Sequence, residues 1–216
     1  MKMKNTFYET KEEKLNVITH GIGFLLSIAA LVLLVVYASK EGTVWHITSF
    51  AIFGASLIVL YAASTLYHYT QNPGLRAKLN ILDHSAIYVL IAGTYTPFTL
   101  VILKGWVGWT IFGLSWGLAI AGIVFKVFYF GKYDKISTIA YVFMGWVIIF
   151  AIKPLIDSFP FEGLMWLLAG GISYTLGALF YSIRKIRYNH AIFHVFVLIG
   201  SFCHFMAVFF YVLPAK

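Results

Sequence analysis

Two histidines four residues apart, His190 and His194, stand in the stretch Asn189-His190-Ala191-Ile192-Phe193-His194 near the end of the 216-residue chain. On a helix this spacing puts them on one face, about one turn apart, where they offer two imidazole nitrogens to a single metal ion. His68 would complete a three-histidine set that leaves one tetrahedral position for water, the arrangement of catalytic rather than closed structural zinc sites. Zinc lowers the pKa of such a water toward about 7. Asp83 could orient or deprotonate that water. Ser64, four residues before His68 and on the same helical face, could hydrogen-bond to it or polarise a substrate carbonyl. Glu13, Asn16 and His20, spaced three and four apart, form a further polar face near the start of the chain. The remaining histidines carry plainer readings: His46 as an interfacial residue, His84 and His204 as hydrogen-bonded structural residues. The single cysteine, Cys203, lies in an apolar run, reads as packing and offers neither a disulfide nor a Cys-rich metal site.

The elements that must carry these residues are membrane spans. The chain is 61% hydrophobic and 19% aromatic with only 11% charged residues, against about 25% charged in soluble domains. The class is all-α, a single seven-helix integral membrane domain. Seven apolar runs reach the roughly 20 residues needed to cross a hydrocarbon core, over 17–39, 45–68, 81–103, 105–129, 136–152, 163–183 and 190–213. Thr96-Pro97 should kink the third span, and Pro154 and Pro160 should separate the fifth from the sixth. The mixed charges of residues 2–14 do not resemble a signal peptide, so the amino terminus is expected to be retained. A net charge of +8 does not imply nucleic acid, because the basic residues fall in short gaps between apolar runs.

Those gaps set the orientation. Lys2, Lys4, Lys11, Lys14, Arg76, Lys78, Lys126, Lys132, Lys135, Arg184, Lys185 and Arg187 fall on one side, and only Lys40, Lys104, Lys153 and Lys216 on the other. The positive-inside rule then expects a cytoplasmic amino terminus and an external carboxyl terminus. The second span ends at His68, the third begins with Asp83, and the seventh begins with His190 and His194, so all four are expected at the inner leaflet. Ionisable groups there face the bundle interior or a wet cavity. His46 lies across the membrane from them.

In order and placement, Glu13-x2-Asn16-x3-His20, Ser64-x3-His68 with Leu82-Asp83-His84-Ser85, and His190-x3-His194 match three family signatures. The chain resembles the progestin and adiponectin receptor (PAQR) family, and most of all its bacterial hemolysin III branch. The resemblance implies a seven-helix bundle in a bacterial plasma membrane. It also implies a zinc ion on His68, His190 and His194, with Asp83 and Ser64 beside its water. Eukaryotic relatives are linked to ceramide hydrolysis, and alkaline ceramidases share the Ser, Asp and three-His set. The expected activity is therefore zinc-dependent hydrolysis of a lipid amide or ester, with a membrane lipid as partner and no inferable nucleic acid or soluble protein partner. A zinc-stabilised lipid sensor is the alternative. A cytolytic pore comes third, because the spans offer no continuous polar stripe for an aqueous lumen. Haem suits a pair of histidines on one helix poorly.

Overall fold

A computed structural model describes residues 7–129, 134–183 and 185–213. Among the described residues the architecture is all helical. It comprises α1 (Thr10–Glu41), α2 (Val44–Tyr69), α3 (Pro73–Pro97), α4 (Gly105–Phe128), α5 (Asp134–Gly145), α6 (Ile152–Ser158), α7 (Phe161–Ser182) and α8 (Asn189–Ala207). A 3-10 turn, Val147–Ala151, joins α5 to α6, and together these make one of seven segments long and apolar enough to cross a membrane. Leu25, Trp106, Phe128 and Phe150 are 67%, 79%, 76% and 76% exposed. Such surfaces suit hydrocarbon rather than water.

The helix boundaries depart from expectation where polar residues extend a helix beyond its apolar run. α1 begins at Thr10 rather than near 17, so Glu13, Asn16 and His20 all lie within it. α3 begins at Pro73, inside the segment expected to be a connection. Asn72 Oδ1 accepts a hydrogen bond from the Leu75 N–H at 3.0 Å and Pro73 fills the first helical position, a strong start for an otherwise polar stretch. The fifth span runs on through Pro154 to Ser158. Pro154 falls in the first turn of α6, where its missing N–H has no intrahelical partner to lose. After Pro97 the helix widens into a π turn over Phe98–Ile102, in which the Leu103 N–H donates to Phe98 O at 2.8 Å. Gly105 then takes φ +69°, a left-handed conformation open to glycine, as the chain turns into α4. Of the charges used to set orientation, Lys2, Lys4, Lys132, Arg184 and Lys216 lie outside the described residues. Arg76 and Lys126 are not loop charges at all: they are buried, within α3 and α4.

α1 packs along α2 and α8, α2 along α3, α3 along α4, and α7 along α8. The core joins Phe50, Phe53, Leu57 and Leu60 of α2 to Leu34 and Ala38 of α1 and Ala207 of α8. α5 rests more lightly on α3, α4 and α7. The break after α5 stays paired. Tyr95 Oη donates toward the carbonyls of Met144 and Gly145 at 3.0 and 2.8 Å and accepts from the Ile148 N–H at 3.0 Å. Free backbone groups at membrane depth require such partners. The light seating of α5 leaves a cavity between α3, α5, α7 and α8.

Candidate metal centre

His68 lies in the last turn of α2, and His190 and His194 in the first two turns of α8. All three are buried. His190 Nε2 is 3.1 Å from His68 Nε2 and 3.1 Å from His194 Nε2. The three residues form a buried group that could hold a metal ion, with one nitrogen of each within 4.8 Å of the others.

The outward-facing nitrogens decide what the inward-facing ones can do. His68 Nδ1 lies 2.7 Å from Glu13 Oε2. A carboxylate can only accept, so Nδ1 carries the hydrogen and His68 Nε2 is a bare lone pair. His194 Nδ1 lies 3.3 Å from Thr19 Oγ1, whose own hydrogen is directed to Leu15 O at 2.8 Å. The threonine oxygen therefore accepts, and His194 Nε2 is a lone pair as well. His190 Nδ1 meets Tyr8 Oη at 3.2 Å, with the two rings stacked. Burial holds the Tyr8 hydroxyl well above its ordinary pKa, so it stays a neutral O–H able to accept from His190. Imidazole lone pairs converging in a dry site repel one another unless a cation stands between them. The donor set fits a metal ion.

α1, Tyr8 just before it and Arg76 of α3 supply this outer layer. Asn16 Nδ2 lies 3.3 Å from His68 Nδ1, but both nitrogens are donors once Nδ1 is protonated toward Glu13, so this contact is not a hydrogen bond. His20 stacks on His194, ring centroids 3.5 Å apart, and neither of its nitrogens has a hydrogen-bond partner among the described residues. Glu12 Oε1 accepts from the His190 N–H at 3.0 Å, a carboxylate at the start of α8. Glu13 is held in turn by the Tyr8 N–H at 2.9 Å and by an ion pair with Arg76.

Asp83 and Ser64 line the same cavity as His190 and His194, and both are buried. Ser64 Oγ has no hydrogen-bond partner among the described residues. Asp83 Oδ2 is 3.7 Å from His84 Nδ1, which donates instead to Asn80 O at 2.9 Å. His84 also lines the cavity, although helical spacing sets it apart from Asp83; the cavity is wide enough to meet both faces. From this polar end the walls become apolar, with Leu60, Ile87, Leu90, Phe193 and Val197. His46 is structural, accepting from the Thr43 N–H at 3.1 Å and donating to Val212 O at 3.2 Å.

Tyr8, Glu12, Thr19 and Arg76 are the members that sequence reasoning does not pick out. Thr19 sits one turn after Asn16, a spacing too common to signal anything, and Tyr8 precedes the helix. Exchanging Glu13 for glutamine keeps the shape but removes the charge that fixes the His68 tautomer. The expected result is metal affinity roughly 10- to 100-fold weaker, read by competition with a chelator of known affinity.

A family model described as Haemolysin-III related matches residues 8–205. The chain is 51% identical over 213 residues to Hemolysin-3 of Bacillus cereus, covering 99% of this chain and 97% of that protein. It is 50% identical over 204 residues to a Hemolysin-3 homolog of Bacillus subtilis (strain 168), covering 94% and 96%. Similarity extends to the Monocyte to macrophage differentiation factor of Homo sapiens, 27% identical over 173 residues, covering 77% of this chain and 71% of that one.

Proposed function

This chain belongs to the haemolysin-III related family, and we propose that it is a zinc-dependent intramembrane hydrolase that cleaves an amide or ester bond of a membrane lipid, with a role in membrane homeostasis. The observation that carries this reading is the convergence of three imidazole nitrogens beside Asp83 and Ser64 at the polar end of an otherwise apolar cavity. The 3.1 Å separations of His190 Nε2 from His68 Nε2 and from His194 Nε2 are close to the roughly 3.3 Å between nitrogens bound tetrahedrally at zinc. Zinc held by His68, His190 and His194 would supply Lewis acidity and activate water at neutral pH.

The chain's own residues do the rest. The Asp83 carboxylate takes the proton of the attacking water and returns it to the leaving group. Ser64 Oγ, free of other partners among the described residues, donates to the carbonyl oxygen as negative charge builds there. Leu90, Phe193 and Val197 hold the lipid chain and keep bulk water from the cleft. The seven apolar helices and the Bacillus relatives fit a bacterial plasma membrane.

Purified protein in lipid bilayers, supplied with zinc, should release fatty acid from at least one ceramide or glycerolipid. Stripping the metal should stop the release and zinc should restore it. Zinc-loaded protein that frees no fatty acid from any of these lipids would overturn the proposal. A second reading, a lipid sensor whose zinc is structural, draws support from the way the cluster ties α1, α2 and α8 together. The lytic sense of the relatives' name finds no support in a mainly apolar cavity.

A further inference from the structure

A second polar point lies at the far end of the same cavity. His204 is ten residues beyond His194 on α8, about 15 Å along the helix axis. It lines the cavity beside Tyr174 and Trp146 and is 8% exposed. Its Nε2 lies 3.2 Å from Leu167 O. A carbonyl accepts, so Nε2 carries the hydrogen and Nδ1 is left as a lone pair. Nδ1 has no hydrogen-bond partner among the described residues.

The ring is held in this pose. A Cβ added at Gly170 would collide with it, so the glycine is what lets His204 lie against α7. Tyr174 packs against the ring, centroids 5.3 Å apart, and the Tyr174 hydroxyl is engaged with Ser201 Oγ at 2.8 Å. Tyr61 Oη donates to the same serine at 2.7 Å. The nearby hydroxyls are thus engaged with one another, and the buried lone pair of His204 is left without a donor among the described residues. A buried acceptor without a donor is unfavourable in hydrocarbon. A plain acyl chain would leave it unsatisfied, whereas a hydroxyl on the chain would pair with it.

An extended chain advances roughly 1.2 Å per bond, so about 15 Å corresponds to about a dozen bonds. We propose that the deep end of the cavity is a second anchor, at which His204 Nδ1 accepts a hydrogen bond from a hydroxyl about a dozen carbons from the head of a bound lipid chain. This selectivity rests on the reading of the cavity as the lipid's site.

The test is displacement of radiolabelled stearic acid from the full-length purified protein by stearic, 2-hydroxystearic and 12-hydroxystearic acids. On the wild type, 12-hydroxystearic acid should displace the label at a concentration roughly 5- to 10-fold lower than stearic acid, while the 2-hydroxy isomer shows no such gain. In His204→Phe the advantage should vanish and stearic acid should bind as before. If stearic acid binds the wild type and the 12-hydroxyl adds nothing, the anchor is refuted and the lipid reading stands. An advantage that survives in His204→Phe refutes it equally. If no acid binds the wild type, the lipid reading falls and the anchor with it.

Discussion

Replacing Asp83 with asparagine is expected to lower lipid hydrolysis by roughly a hundredfold to ten-thousandfold while leaving the metal in place. Asp83 is 7% exposed and lines the cavity with His190 and His194. Among the described residues it makes no hydrogen bond to the three histidines; His84 Nδ1 lies 3.7 Å from its Oδ2. Asparagine preserves its size and can still accept a hydrogen bond, but it cannot take and return a proton. The substitution therefore separates proton transfer from metal binding, which rests on other side chains. Turnover and metal content should be measured on the same preparation. A variant that keeps both metal and full turnover contradicts the role given to Asp83. A variant that keeps metal and physiological effect, with no hydrolysis in either protein, favours the sensor.

The second large effect concerns stability. Arg76 is fully buried. Besides pairing with Glu13, its Nη1 donates to Tyr67 O at 2.9 Å and Thr70 O at 3.2 Å, satisfying carbonyls at the end of α2. Its guanidinium lies between the rings of Phe7 and Tyr67, 4.2 and 4.4 Å from their centroids. Arg76→Ala strands the Glu13 charge in an apolar interior and opens those carbonyls. Breaking a buried pair from one side costs about 3–5 kcal/mol. Thermal unfolding in detergent should show a large fall in Tm. The double variant Arg76→Met with Glu13→Gln should be distinctly more stable than Arg76→Ala, because no charge is left unpaired. Equal stability of Arg76→Ala and wild type would contradict this account of the α1–α2–α3 junction.

Arg76 also shows what a sequence can and cannot disclose here. The seven spans are legible because twenty apolar residues have few alternatives to crossing a membrane. Helix ends are less so, since capping by Asn72 and a proline start at Pro73 extend α3 through polar residues. That extension carries Arg76 inward, whereas a tally of loop charges treats every Lys and Arg as solvated. Depth alone brings His68, Asp83, His190 and His194 to one end of the bundle. It does not reveal that Glu13 turns the His68 tautomer inward, that Thr19 does the same for His194, or that Tyr8 meets the outer nitrogen of His190. Those roles depend on how α1 rotates against α2 and α8, which side-chain packing decides. His84 reads from the sequence as structural for a related reason: a helical wheel separates it from Asp83, but the cavity meets both.

The claim on which the rest depends is that three neutral imidazoles hold one metal ion. Elemental analysis of the purified full-length protein, prepared without chelators and compared with His194→Ala, addresses it directly. The expected result is about one zinc ion per wild-type chain and a near-complete loss in the variant. Wild-type protein that is folded, supplied with zinc and still free of bound metal would contradict the account, for the hydrolase and the sensor alike.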